Sequence, residues 1–284
     1  MPELPEVEVL ARYLRPVIRG KTIRAVDVRR AKITRPTSLR EFQKALIGAK
    51  FTGLLRRGKY LLFELCPKNS KKTFTLLGHL GMTGKMFLTP KGEPLPKHAA
   101  VVFDLGRENF IYEDTRYFGR MTLDLSAIEK LGPEPLGKDF QPATFAKALK
   151  SSRQAIKVKL LDQSLVTGVG NIYASEALFR ARISPKLAAN KLTPTQIKKL
   201  CVTIREVLAE AIAGGSTVQL NFTGRKSDGL FYFGRAPGTP DFYEERLQVY
   251  DRAGKPCWNC QSPIKRIVQA ARSTFYCPRC QNSR

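Results

Sequence analysis

Leu131-Gly132-Pro133-Glu134-Pro135-Leu136-Gly137 divides the chain. Its prolines and glycines support neither a helix ladder nor a strand ladder, so the stretch reads as a linker. Upstream of it, short apolar runs alternate with Gly, Pro, Asn and Lys clusters. They predict strands over Ile23–Val28, Tyr60–Leu65, Thr73–Leu77, Lys85–Leu88, Ala99–Leu105, Phe110–Tyr112 and Arg120–Leu125. One short helix precedes them. Pro5 suits its first turn, Glu6 and Glu8 complement its positive end, and Val7, Leu10, Ala11 and Leu14 share one face, with Pro16 and Gly20 closing it. Residues 1–130 therefore read as a β-sandwich, with a barrel as the alternative.

Downstream of the linker the apolar period becomes helical. Thr193-Pro194-Thr195-Gln196 is a capping box with proline at the first helical position. Ile197, Leu200, Cys201, Ile204, Leu208, Ala211 and Ile212 form the stripe to be buried, and Gly214-Gly215 ends the helix. From about 216 to 245, aromatics and glycines follow no period, which predicts a long loop. The fold class expected is α+β and multidomain: a sandwich over 1–130, a helical domain with that loop over 131–245, and a cysteine module over 246–284.

The module carries Cys257-x2-Cys260-x16-Cys277-x2-Cys280. Two such knuckles set four thiolates on a tetrahedron, the geometry Zn²⁺ prefers; a pair of disulfides is the alternative. All four positions are cysteine, so the ion expected is structural, with no open coordination position. From Arg246 to the end there are eight basic residues and one acid. That balance suits a grip on phosphate, with Arg272 the best candidate. Cys66 and Cys201 read as packed thiols.

The whole chain has 284 residues, 49 Lys and Arg against 24 Asp and Glu, and a net charge of +25. Such a chain repels itself unless a polyanion lies against it, and nucleic acid is the usual one; a ribosomal type of RNA binding and an anionic membrane surface are the alternatives. A hydrophobic fraction of 43 % excludes wholesale disorder. No apolar run approaches the ~18 residues of a membrane span. Met1-Pro2-Glu3-Leu4-Pro5-Glu6 lacks the basic and apolar regions of a secretory signal, so a soluble cytosolic protein is expected, monomeric by default.

With only His79 and His98, neither a histidine-based triad nor a histidine-rich metal site is expected. The reactive group with the strongest case is the N-terminus. If Met1 is removed, as the small Pro2 permits, the chain begins with a secondary amine. A free α-amino group has a pKa of about 7.7–8.0, so roughly a third is neutral at pH 7.5 and able to attack an aldehyde-like sugar carbon, giving an iminium ion. Glu3 beside it could exchange protons. The plainer reading is that Pro2 and Pro5 only shape the entry to the helix.

Pro2-Glu3-Leu4-Pro5-Glu6-Val7-Glu8 resembles the start of the formamidopyrimidine-DNA glycosylase family, which is related to endonuclease VIII. Further stretches resemble that family in the same order. Arg56-Arg57-Gly58-Lys59-Tyr60-Leu61-Leu62 is similar to its catalytic-lysine hairpin, and His79-Leu80-Gly81-Met82-Thr83-Gly84 to its intercalation loop. Tyr112-Glu113-Asp114-Thr115-Arg116-Tyr117-Phe118-Gly119 is similar to its Arg/Phe wedge. Gly168-Val169-Gly170-Asn171-Ile172-Tyr173-Ala174-Ser175-Glu176 is similar to its helix–two-turn–helix signature, and the cysteine module to its zinc finger.

The resemblance implies a base-excision-repair enzyme that is both a DNA glycosylase for oxidised purines (8-oxoguanine, formamidopyrimidines) and a lyase at apurinic or apyrimidinic sites. Its partner would be double-stranded DNA holding an oxidised base or abasic site. Pro2 would attack C1′ and expel the base, with Glu3 as acid and base, Lys59 as proton donor and Arg272 linked to the last elimination. Met82, Arg116 and Phe118 would fill the hole left by the extruded nucleotide. His79, His98, Arg153, Lys157 and Asn171 would contact the DNA, the glycines before Asn171 letting backbone N–H groups approach a phosphate. A strand-end lysine in solvent, core placement of Met82 and Phe118, and ordinary surface roles for Arg153 and Lys157 are the alternatives. Two rival functions remain: an endonuclease VIII-like enzyme for oxidised pyrimidines, and a non-enzymatic zinc-ribbon binder of damaged DNA. The 216–245 segment, with Gly229-Leu230-Phe231-Tyr232-Phe233-Gly234, looks longer than the family's usual loop over the damaged base, which bears on lesion preference.

Overall fold

The computed structural model describes residues 2–68, 70–215 and 247–282. The chain divides into two compact units: one holds the chain up to Glu129, the other runs from Lys130 to Gly214 and takes in the C-terminal segment. The mixed α+β class read from the sequence is the class observed.

In the first unit, helix α1 (Leu4–Ile18) leads into β1 (Ala25–Val28), a 3-10 turn (Ala31–Thr34) and α2 (Leu39–Leu46). Strands β2 (Lys50–Arg57), β3 (Tyr60–Cys66), β4 (Phe74–His79), β5 (Gly84–Pro90), β6 (Ala99–Asp104), β7 (Glu108–Asp114) and β8 (Arg120–Thr122) follow, then the short α3 (Ser126–Glu129). The strands form two antiparallel sheets, β1-β6-β7-β5 and β2-β3-β4-β8.

Both sheets share one core with α1 and α2. The Phe110 ring on β7 lies 5.6 Å from Phe103 in its own sheet, and 6.2 Å and 5.7 Å from Phe51 and Phe63 in the other. Edge-to-face aromatic contact thus crosses the interior of a sandwich. Val7, Leu10, Ala11 and Leu14 of α1 are buried, as their spacing predicts. Pro16 lies in the last turn, and Gly20 follows in the left-handed region at φ +83°.

Two elements differ from the sequence reading. Strand β2 was not among the expected strands, because Lys50-Phe51-Thr52-Gly53 breaks the two-residue alternation. Its register against β3 shifts between Phe51 and Gly53, and a Cβ on Gly53 would lie 2.1 Å from the Glu64 carboxylate. Helix α2 is only eight residues long; its signal was Ser38, whose hydroxyl accepts the Glu41 N–H at 3.2 Å.

In the second unit come α4 (Pro142–Leu149), α5 (Ile156–Leu160), α6 (Asn171–Ala181), α7 (Pro194–Gly215) and the hairpin β9 (Lys265–Gln269) and β10 (Arg272–Tyr276). The stretch read as a linker is packed against this unit. Gly132 N–H donates to Gln163 O (2.8 Å), Thr167 N–H to Pro133 O (3.1 Å), and Arg205 Nε to Pro135 O (3.1 Å). The capping box of α7 is present in both directions: Gln196 N–H to Thr193 Oγ1 (3.2 Å) and Thr193 N–H to Gln196 Oε1 (2.9 Å). All seven residues of its apolar stripe are buried. The aromatic stretch from Gly229 to Gly234 and the loop expected around it lie outside the described residues.

Phe110 joins the two sheets, so Phe110→Ala is expected to cost about 3–5 kcal/mol through lost burial and the cavity left behind. Urea unfolding should show a lower midpoint at an unchanged slope; an unmoved midpoint would contradict the shared core.

Candidate active site and nucleic-acid interface

The first turn of α1 carries the N-terminal motif. Pro2, Glu3 and Glu6 are buried, and Glu3 N–H donates to the Glu6 carboxylate at 2.7 Å. Farther along the helix, Glu8 accepts Arg12 Nε (2.8 Å) and Arg56 Nε (2.7 Å). Burial pushes the Glu8 carboxyl up, but the two guanidiniums outweigh it and hold it below the usual range. Arg56 Nη1 also donates to Gly58 O at 3.1 Å. The β2–β3 turn, with Gly58 at φ +57°, is thus tied to α1. Lys59 follows in that turn and is buried, not the solvated lysine of the alternative reading.

Tyr60 pairs with His79 across β3 and β4, the rings 4.7 Å apart. Gly81 N–H donates to His79 Nδ1 at 3.1 Å, which leaves the ring proton on Nε2. Burial, then the Lys59 and Arg120 cations, push the imidazole down to about 4, against a smaller upward pull from Asp114. His79 is therefore neutral at pH 7. His98 is half-buried, its Nδ1 3.4 Å from the Tyr117 hydroxyl.

Two loops present the wedge residues. Met82, between β4 and β5, is 41 % exposed; Phe118, between β7 and β8, is 55 % exposed, and the Arg116 guanidinium lies 4.9 Å from its ring centre. Large apolar side chains at such exposure are not core residues. Beneath them, the buried Asp114 bonds to both loops.

In the second unit Gly170 caps α6 and Asn171 begins it. Asn171 Nδ2 donates to Ser273 O at 2.9 Å, and the Lys157 ammonium donates to Asn171 Oδ1. Lys157 is fully buried, an uncommon place for lysine, so it bears on the Asn171 amide and not on the surface. Arg153 and Arg272 are exposed. Arg272 follows a tight turn in which Ala270 and Ala271 have φ of +47° and +58°.

The fully buried Glu176 of α6 accepts the N–H groups of Gln248 (2.8 Å), Val249 and Tyr250 (both 2.9 Å). Burial raises its pKa, while the three donors pull the other way. This carboxylate joins α6 to the start of the cysteine module. The four cysteine sulfurs lie within 4.8 Å of one another, with Cys257–Cys280 at 3.9 Å and Cys260–Cys277 at 3.4 Å. None is in a disulfide. A tetrahedron with Zn–S bonds of about 2.3 Å has edges of about 3.8 Å, so the donor set fits one structural Zn²⁺.

Three family models match the chain: the formamidopyrimidine-DNA glycosylase N-terminal domain over residues 1–121, the H2TH domain of the same glycosylases over 131–221, and a zinc finger found in FPG and IleRS over 254–282. The chain belongs to the formamidopyrimidine-DNA glycosylase family. The formamidopyrimidine-DNA glycosylase of Carboxydothermus hydrogenoformans is 40 % identical over 99 % of this chain and 100 % of its own length; that of Chloroflexus aurantiacus is 42 % identical over 99 % and 98 %. Wild-type Lactococcus lactis Fpg, solved in complex with a DNA containing N7-benzyl-Fapy-dG, matches with a TM-score of 0.86 at 35 % identity, over 99 % of this chain and 100 % of that one. The same enzyme has been solved with DNA containing an abasic site. No helix among the described residues of this glycosylase-family chain is long and apolar enough to cross a membrane.

Sequence reading missed Asp114, Thr83, Glu176 and the Glu8–Arg56 pair, although all lie inside or beside the quoted motifs. What marks them is their partners, which are 31 to 74 residues distant and leave no local pattern.

By ¹⁵N-edited NMR, the His79 ring is expected as the neutral Nε2–H tautomer at pH 7, titrating near pH 4. His79→Gln assigns the signal, since the chain has two histidines. A midpoint between pH 6 and 7 would contradict its burial beside Lys59.

Proposed function

We propose that this DNA glycosylase excises oxidised purines from duplex DNA through the amine of Pro2 and then cuts the strand at the abasic site. The observation that carries the reading is Pro2-Glu3 buried immediately before α1, with Glu3 as its N-cap, and Glu8 of that helix bridged to the hairpin of Lys59. Once Met1 is removed, the neutral amine attacks C1′ of the extruded nucleotide, and the glycosidic bond breaks with its electron pair leaving on the base. Glu3 exchanges protons with the sugar and Lys59 protonates the departing group. Protonation of O4′, with Glu3 as the proton donor, lets the C1′–O4′ bond break and opens the sugar ring, and the iminium ion so formed acidifies C2′. Loss of that proton expels the 3′ phosphate by β-elimination, and a second, δ-elimination, linked to Arg272, frees the 5′ phosphate.

Met82, Arg116 and Phe118 enter the gap in the stack, offsetting part of the few kcal/mol lost on unstacking. Arg153, Asn171, His79 and His98 hold the backbone, with Lys157 acting through Asn171. The zinc ion, when bound, fixes the fold of the module that carries Arg272 and takes no part in bond breaking. The DNA-bound Lactococcus lactis relatives support DNA as the partner. A monomer in the bacterial cytosol is the setting proposed. Relatives named for formamidopyrimidine support the purine reading over oxidised pyrimidines.

Borohydride should trap wild-type protein covalently on duplex DNA with an abasic site. Pro2→Gly is expected to keep DNA affinity within about threefold while suppressing base release by ~100-fold or more. Normal turnover by Pro2→Gly would reject the role of Pro2. Binding with no trapped wild-type adduct would favour a non-enzymatic binder. Faster release of thymine glycol than of 8-oxoguanine would favour the pyrimidine reading.

A further inference from the structure

Met82 on one side, and Arg116 and Phe118 on the other, sit on separate loops that meet at a single buried carboxylate. Asp114, fully buried at the end of β7, accepts Thr83 Oγ1–H (2.6 Å) and Arg116 N–H (3.1 Å) on Oδ1, and Gly119 N–H (2.9 Å) on Oδ2. Thr83 Oγ1 also accepts from Arg116 N–H at 3.2 Å. The loops pack backbone to backbone: a Cβ on Gly81 would lie 2.6 Å from Gly119 N, and one on Gly119 would lie 2.5 Å from His79 O and 1.5 Å from the Tyr112 hydroxyl. That hydroxyl donates to His79 O at 3.1 Å.

We propose that Asp114 is a positioning residue for nucleotide extrusion: it fixes Met82 relative to Arg116 and Phe118, so that the wedge enters the base stack already assembled. The proposal rests on the function proposed above. A wedge offsets unstacking only to the extent that its own ordering is settled beforehand, because loops fixed on insertion lose conformational freedom at that step. A carboxyl group that accepts on both oxygens suits three converging donors. Asparagine would turn an NH₂ group toward at least one of them. Excising a base requires the intact nucleotide to be unstacked, whereas an abasic nucleotide has no base to unstack. Loss of Asp114 therefore separates the two activities.

The experiment uses the full-length protein as Asp114→Asn and Thr83→Val. Single-turnover release of 8-oxoguanine from a duplex is compared with strand cleavage at a preformed abasic site, with 2-aminopurine beside the lesion reporting wedge insertion. For Asp114→Asn, release and the fluorescence rise should slow by about tenfold to a hundredfold, as for a lost buried hydrogen bond, while abasic cleavage stays within about threefold. Thr83→Val keeps the carboxylate and its backbone donors. It should slow release selectively by about fivefold, and it decides the matter if Asp114→Asn does not fold. Equal slowing of both activities, or of neither, would overturn the proposal. A wild-type protein that released no oxidised base would instead overturn the function on which it rests.

Discussion

Carboxylates taken out of water must be met by donors, and this chain spends its few buried acids on that condition. Among the described residues the buried acids are Glu3, Glu6, Asp114 and Glu176. Glu3 and Glu6 answer each other's backbone N–H in a capping box, Asp114 those of Arg116 and Gly119, and Glu176 those of residues 248–250. An unmet buried polar group costs a few kcal/mol, whereas a fully answered one holds its donors to a single geometry. What is held in each case is a piece of backbone next to a functional group: the first turn beside Pro2, the wedge loops, and the turn that leads into the four cysteines. The rest of the proposed chemistry depends on these fixed backbones.

The basic residues serve the opposite purpose. With a net charge of +25, the chain carries far more cation than its internal pairs consume. Some cations are structural: Arg56 ties a hairpin to α1, and Lys157 is buried against Asn171. Others, including Arg116, Arg153 and Arg272, are exposed. A polyanion would be drawn by that excess at long range and without regard to sequence. Selection of a lesion then has to come from short-range steps, namely extrusion, filling of the gap, and attack at C1′.

Much of this was legible in the residues. The cysteine spacing announces its tetrahedron, because four thiolates in two knuckles need no long-range information. The α7 cap and stripe are equally local: Thr193 and Gln196 are three residues apart, and the stripe follows from helical periodicity. The class of the first unit was readable from its strands, but β2 was not, since its alternation is broken at the Gly53 bulge. The linker composition of 131–137 gave no sign that Gln163, Thr167 and Arg205 bind that backbone. Lys157 reads as a DNA contact in the sequence, with a surface role as the alternative, whereas the fold buries it against the Asn171 amide. Asp114 was quoted within a motif, yet its task depends on Thr83, brought close only when β5 pairs with β7. In each case the missing information was a tertiary neighbour.

The account stands on a covalent bond between the chain's amino end and deoxyribose. Tandem mass spectrometry of peptides from the borohydride-reduced protein–DNA adduct tests it most directly. The account predicts a sugar remnant on the nitrogen of Pro2, in a peptide that begins at that residue. A remnant on Lys59, or a cross-linked chain that still begins with Met1, would contradict it.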